Sequence, residues 1–387
     1  MVSVLKAVRR GVVILACCGG LALGLSACAS RPESGVLVST AVVAPEARQH
    51  NILIATTRNR DERPGTLFNG ERTSSLDFAS VRISVPPNHV SGAIEWPARQ
   101  PADPRSEFAV RDSSYINDDK AFLAAINREL KSRPVGQRKI MVFVHGYNTL
   151  FAEGLYRFAQ IVDDSGSTAV PVHFSWASRG QTTDYVYDLN SATVARDALE
   201  RTLRLLAASD AEQINILAHS MGNWVTVEAL RQIMISGKVP PASKVGTIVL
   251  AAPDIDIDVF KSQMRRIGKP RKPFIIILSK DDRALGLSKF IAGDKDRLGA
   301  YADHDELTAL GAIVIDLSDV ETDDMSNHGK FAEIAEIAPQ LKQVLAKGIG
   351  PDKRGGKVRR EVAGLAIGAL SAPVSILSLP IRIFANE

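Results

Sequence analysis

Three cysteines in 387 residues are too few to staple a fold. Two of them, Cys17 and Cys18, sit in an N-terminal apolar run, and a chain cut after that run keeps only Cys28. Intramolecular disulfides are then excluded, and the domain must hold by its core alone. Charge of one sign is also scarce, with 47 basic and 43 acidic residues and a formal net charge of +4. No nucleic-acid partner follows from that balance. Asp254, Asp256 and Asp258 alternate as they would in a calcium loop, but Val259 and Arg265 stand where such a loop needs Gly and Glu. No metal and no cofactor is expected, and the aspartates read as helix cap and first-turn charges. At 45% hydrophobic and 23% charged, the chain suits one large α/β domain and does not have the composition of a disordered protein.

The N-terminus has the build of a targeting segment. Lys6, Arg9 and Arg10 precede the apolar residues 11–24, and Leu25-Ser26-Ala27-Cys28 follows. That ending resembles the lipobox of bacterial lipoproteins. The resemblance implies cleavage before Cys28, a lipid on Cys28, and, because Ala29 rather than Asp follows, the periplasmic side of the outer membrane. The competing reading is an uncleaved signal anchor. Removing residues 1–27 lowers the formal charge to +1. Four parts are expected: a signal over 1–27, a tether over 28–50, a domain over 51–348 and a tail over 349–387. The tail is basic at Lys353, Arg354, Lys357, Arg359 and Arg360, then largely apolar over 362–384 with breaks at Pro373 and Pro380. It is expected to lie on anionic headgroups or to pack on the domain.

From residue 51 to 135 the pattern predicts antiparallel edge strands at 52–55, 81–85 and 94–96. A polar loop is expected over 58–75, and an amphipathic helix over 118–130. After Lys139, strands at 140–144, 170–174, 214–217, 247–250, 274–278 and 312–315 alternate with helices, the last of them over 330–345. Such alternation gives a mostly parallel sheet covered on both faces by helices. Ligands bind such sheets at the carboxyl ends of their strands.

The chemistry gathers at those ends. Residues 214–222, Ile-Asn-Ile-Leu-Ala-His-Ser-Met-Gly, read as strand, sharp turn and helix, with small Ala218 and Gly222 flanking Ser220. This is a nucleophile elbow, and Ser220 is the candidate nucleophile. Residues 145–148, His-Gly-Tyr-Asn, follow the 140–144 strand where an oxyanion loop belongs, which offers the N–H groups of Tyr147 and Met221 as donors. His145 reads as a brace for that loop. Chain order, serine then acid then histidine, leaves His304 and His328 as bases, and His328, in the polar loop after the last strand, is preferred. Asp282 has the spacing of the acid; Asp281 is its immediate rival, and Asp254, Asp256 and Asp258 form a second set. Trp176 and Tyr187 are candidate pocket residues, with core packing as the other reading of Trp176. Residues 285–297 read as a lid or a surface helix.

Taken together, residues 142–148, Phe174-Ser175-Trp176 with Gly180, Tyr187 and Asp188, residues 218–223, 252–256 and 282–285 resemble the α/β-hydrolase family DUF900, an esterase/lipase-like group, over about residues 50–345. That resemblance implies the α/β-hydrolase fold, a central sheet with antiparallel N-terminal edge strands, and a serine esterase activity on a small-molecule or lipid acyl ester. A non-catalytic binding or assembly lipoprotein on the same scaffold, and an acyltransferase, remain the alternatives.

Overall fold

The structure is a computed structural model that describes residues 31, 34–237, 239–241, 243–320, 326–330 and 382–385. Its first strands are β1 (Arg48–Asp61), β2 (Leu67–Val85) and β3 (Ala109–Ile116), followed by helix α1 (Asp119–Lys131). The alternating part then runs β4 (Lys139–Val144), α2 (Phe151–Asp164), β5 (Val170–Ser175), α3 (Tyr185–Ala207), β6 (Gln213–His219), α4 (Met221–Ile235), β7 (Val245–Ala251) and α5 (Ile257–Ile267). It closes with β8 (Phe274–Leu278), α6 (Arg283–Ile291), α7 (His304–Ala309) and β9 (Ala312–Asp316), and β10 (Arg382–Phe384) comes from the tail. All ten strands form one sheet in the order β10-β9-β8-β7-β6-β4-β5-β1-β2-β3. Strands β1 and β4 to β9 run parallel, while β2, β3 and β10 are antiparallel to their neighbours.

The buried strands read plainly because both of their faces are covered, so they are continuous apolar runs. Phe274–Leu278 is buried at every position. One face packs on α1, α3, α4 and α5 through Phe122, Leu199, Val225 and Phe260. The other packs on α2 through Leu155 and Phe158 against Ile54, Ile83 and Phe143.

The N-terminal third differs from expectation in four ways. Residues 58–75, predicted as a loop, are the arms of the β1–β2 hairpin, whose turn is confined to the few residues around Gly65. Register shifts between Thr56 and Arg58 and between Arg58 and Arg60 break the alternation that would have revealed a strand. Residues 81–85 lie one strand in from the edge, which is β3, an element the sequence did not suggest. Residues 94–96 form no strand. The expected tether is not free between residues 34 and 47 either: Val36 and Leu37 are buried, Leu37 N–H donates to Gly65 O, and Thr40 N–H donates to Val110 O. The domain therefore begins well before residue 51. The signal, the predicted helix over 330–345 apart from Lys330, and most of the tail lie outside the described residues. Among the described residues no helix is long and apolar enough to cross a membrane.

His173 on β5 is wholly buried near Phe143, Phe151 and Phe158, and among the described residues neither ring nitrogen has a hydrogen-bond partner. Burial, assisted by the Arg58 charge, lowers its pKa to about 3. Because the folded pKa lies below the unfolded one, the unfolded chain takes up the proton first. The cost is absent above about pH 6.5 and grows as pH falls, by about 1.4 kcal/mol per pH unit at its steepest. His173→Phe is expected to remove this proton from the acid dependence, so that chemical denaturation midpoints between pH 6 and 4 fall less steeply than in the unaltered protein. Equal slopes would contradict this assignment.

Candidate active site

Ser220 stands between β6 and α4 with φ 52° and ψ −125°, a left-handed backbone that a non-glycine residue adopts only when its surroundings impose it. They do so here. Ser220 N–H donates to Ala251 O at 3.0 Å, and its carbonyl accepts from Asp254 N–H at 3.2 Å and from Asn223 Nδ2 at 2.9 Å. Gly222 has no room for a side chain, since a Cβ would lie 2.3 Å from His145 O and 2.6 Å from Val144 O. Ala218, also expected to be small, is fully buried.

Across from the elbow runs the loop after β4. Gly146 comes so close that a Cβ there would meet Ser220 Cβ at 2.7 Å. The loop is held from behind at several points. Trp176 Nε1 donates to His145 O at 2.8 Å, Asp188 Oδ2 accepts from Asn148 N–H at 3.1 Å, and Arg58 donates to Thr149 O at 2.8 Å. His145 stacks on Trp176 with ring centroids 5.0 Å apart, and burial followed by the Arg58 charge holds its pKa well below the usual range. Its Nδ1 faces Gly146 O at 2.8 Å and its Nε2 faces Trp176 O at 3.0 Å, so the ring is held between two main-chain carbonyls. His145 is thus a brace, as expected.

The two candidate pocket residues are engaged elsewhere. Trp176 is completely buried and supports the loop, so the core-packing reading replaces the pocket one. Tyr187 lies between the guanidinium groups of Arg72 and Arg179, 4.5 and 3.6 Å from its ring centre, and its hydroxyl donates to Gly70 O. It ties α3 to the β1–β2 hairpin. The residue that does border the loop is Tyr185, whose ring meets Tyr147 edge-on at 5.2 Å and whose hydroxyl reaches Asp254 at 3.1 Å and Ser288 at 2.8 Å. Its place one helical turn before Asp188 was the available signal, because residues three apart share a helix face.

After β8, Asp282 caps α6, with Oδ1 accepting from Leu285 N–H at 3.0 Å. Its Oδ2 lies 2.7 Å from His328 Nδ1, and its side chain is fully shielded from solvent. Asp281 points the other way, to Lys330 Nζ at 2.9 Å and Asn327 Nδ2 at 3.0 Å. His304, expected at the surface, is buried, against Phe384 at 4.4 Å and 3.8 Å from Asp316. Asp254 forms an ion pair with Arg297 at 3.2 Å, Asp256 caps α5, and Asp258 pairs with Lys295 at 3.2 Å. His219 packs on His328 with ring centroids 4.7 Å apart and is kept neutral by burial and then by its neighbour's charge. Among the described residues only His89, Asp163 and Asp164 have metal-like spacing; they lie at the far end of α2 and already bond Glu95, Arg48 and Gly92 N–H.

No curated protein matches the chain. A family model described as an alpha/beta hydrolase of unknown function, DUF900, matches residues 118–347, which include every residue of the elbow, the loop and the Asp282–His328 pair. More than half of the chain lies within that match, and the chain belongs to the DUF900 family of α/β hydrolases.

Proposed function

We propose that the protein is a membrane-tethered serine hydrolase that cleaves carboxylic esters, with Ser220 as nucleophile, His328 as base and Asp282 as the acid that orients it. The observation that supports this most directly is the 2.7 Å contact between His328 Nδ1 and a solvent-shielded Asp282, in a fold where Ser220 is held at a strained elbow. With Nδ1 turned to Asp282, Nε2 is the nitrogen that takes the Ser220 proton as Oγ attacks the ester carbonyl. The N–H groups of Tyr147 and Met221 receive the developing oxyanion, the imidazolium protonates the leaving alcohol, and water releases the acyl group by the reverse proton transfers. Cys28 carries the lipid that holds the enzyme on the periplasmic side of the outer membrane.

The test is turnover of p-nitrophenyl acyl esters of graded chain length by the purified protein. Hydrolysis is expected, and the length profile separates esterase from lipase; a folded protein without turnover would turn the reading toward a binding scaffold. In the same assay, Gly146→Ala is expected to lower kcat by about 10²–10³, the cost of misplacing an oxyanion donor, because the added methyl must push the loop off Ser220. An unchanged rate in the Gly146→Ala variant, with the fold intact by circular dichroism, would remove the loop from the mechanism.

A further inference from the structure

Helix α6, capped by Asp282, buries Leu285 and Ser288, yet it turns Leu287, Phe290 and Ile291 outward at 55%, 80% and 46% exposure. Positions three and four apart lie on one helical face, so these three side chains form a single apolar ridge. A second exposed apolar pair lies on the neighbouring helix α3. Tyr185 and Ser288 hydroxyls meet at 2.8 Å, which sets the first turn of α3 beside α6, and there Val186 and Leu189 are also exposed, at 63% and 38%. Large apolar side chains gathered in this way mark a surface that meets an apolar partner. The helix that carries the first three begins at the candidate site, since α6 is capped by the carboxylate that contacts His328.

The N-terminal chain indicates the partner. Arg31 donates to Asn148 O at 2.8 Å and to Gly180 O at 3.0 Å and pairs with Glu153, which fixes it on the loop facing Ser220. Cys28 is three residues earlier, a reach of roughly 10 Å for an extended chain. A lipid on Cys28 would therefore enter a bilayer close to this end of the sheet.

We infer that the catalytic end of the sheet docks on a lipid bilayer, that Leu287, Phe290 and Ile291 with Val186 and Leu189 enter its acyl region, and that the esters reaching Ser220 are those of membrane lipids. The substrate half of this inference rests on the esterase reading, and the docking half rests on the lipid that the proposed function places on Cys28. Anchor and ridge have different tasks: the lipid on Cys28 holds the protein at the bilayer, and the ridge sets which face of the domain is turned to it.

The experiment places a tryptophan reporter at each end of the sheet in the full chain, reconstituted in phospholipid vesicles. Phe290→Trp is expected to show emission quenched by lipids brominated on their acyl chains and protected from aqueous iodide. Met234→Trp, near the end of α4, is expected to show the reverse. Iodide quenching at position 290, or protection there from both quenchers as a protein contact would give, overturns the docking. For the substrate half, Leu287→Ser/Phe290→Ser/Ile291→Ser is expected to lower the ratio of turnover on a vesicle-borne long-chain ester to turnover on a dissolved acetate ester at least tenfold. An unchanged ratio overturns that half. If the unaltered protein hydrolyses neither ester while position 290 is still quenched by bromolipid, the docking stands and the substrate assignment falls.

Discussion

Ser220→Ala and His328→Ala are each expected to lower kcat/KM for p-nitrophenyl ester hydrolysis by about 10⁵–10⁶, and the double variant is expected to lose little more. The non-additivity follows from the way such groups act: a serine without its base, or a base without its serine, transfers no proton, so either loss removes the same step. What remains comes from binding and from the N–H donors, which neither substitution touches. Ser220 is 4% exposed and its strained backbone is fixed by main-chain bonds, so alanine leaves the elbow standing. Losses that multiplied in the double variant would show that the two residues act independently, contrary to the mechanism.

Asp282→Asn is expected to cost about 10⁴ in kcat, whereas Asp281→Asn stays within a few-fold of the unaltered enzyme. The amide keeps the shape of the carboxylate but turns an N–H donor or a weaker acceptor toward His328 Nδ1, so the imidazole is held in the wrong tautomer and its positive charge goes unsupported. Asp281 faces Lys330 and Asn327, and its loss breaks a contact within the His328 loop without touching the imidazole. Because Asp282 also caps α6, Asp282→Asn is paired with a melting curve; asparagine is itself a good cap, so stability is expected to change by less than about 1 kcal/mol. Equal losses from both variants would contradict the assignment.

The parts of the fold that could be read ahead are those whose pattern is local. Residues 140–144 and 274–278 are apolar without interruption because helices cover both faces of their sheet, and Ser220 is flanked by Ala218 and Gly222 because the turn leaves no space. Asp282 could be favoured over Asp281 by its spacing between small Ser279 and apolar Leu285, and the structure adds that it caps α6 through the Leu285 N–H. The parts that could not be read depend on partners far along the chain. Val36 and Leu37 look like linker residues until the β1–β2 hairpin closes over them, and the hairpin is hidden by its own bulges. Trp176 looks like a pocket aromatic until its indole N–H is seen on His145 O. Tyr187 draws the eye away from Tyr185 because the two are close in sequence but point to opposite sides of α3, one to Arg72 and Arg179, the other to Asp254 and Ser288.

The most direct test of the central claim is labelling of the purified protein with a fluorophosphonate, followed by mass spectrometry of its peptides. Only a serine activated by a base reacts at a useful rate with this reagent. One adduct is expected, on Ser220, lost in Ser220→Ala and strongly slowed in His328→Ala. A folded protein that takes no label at Ser220, or that labels equally fast without His328, would contradict it.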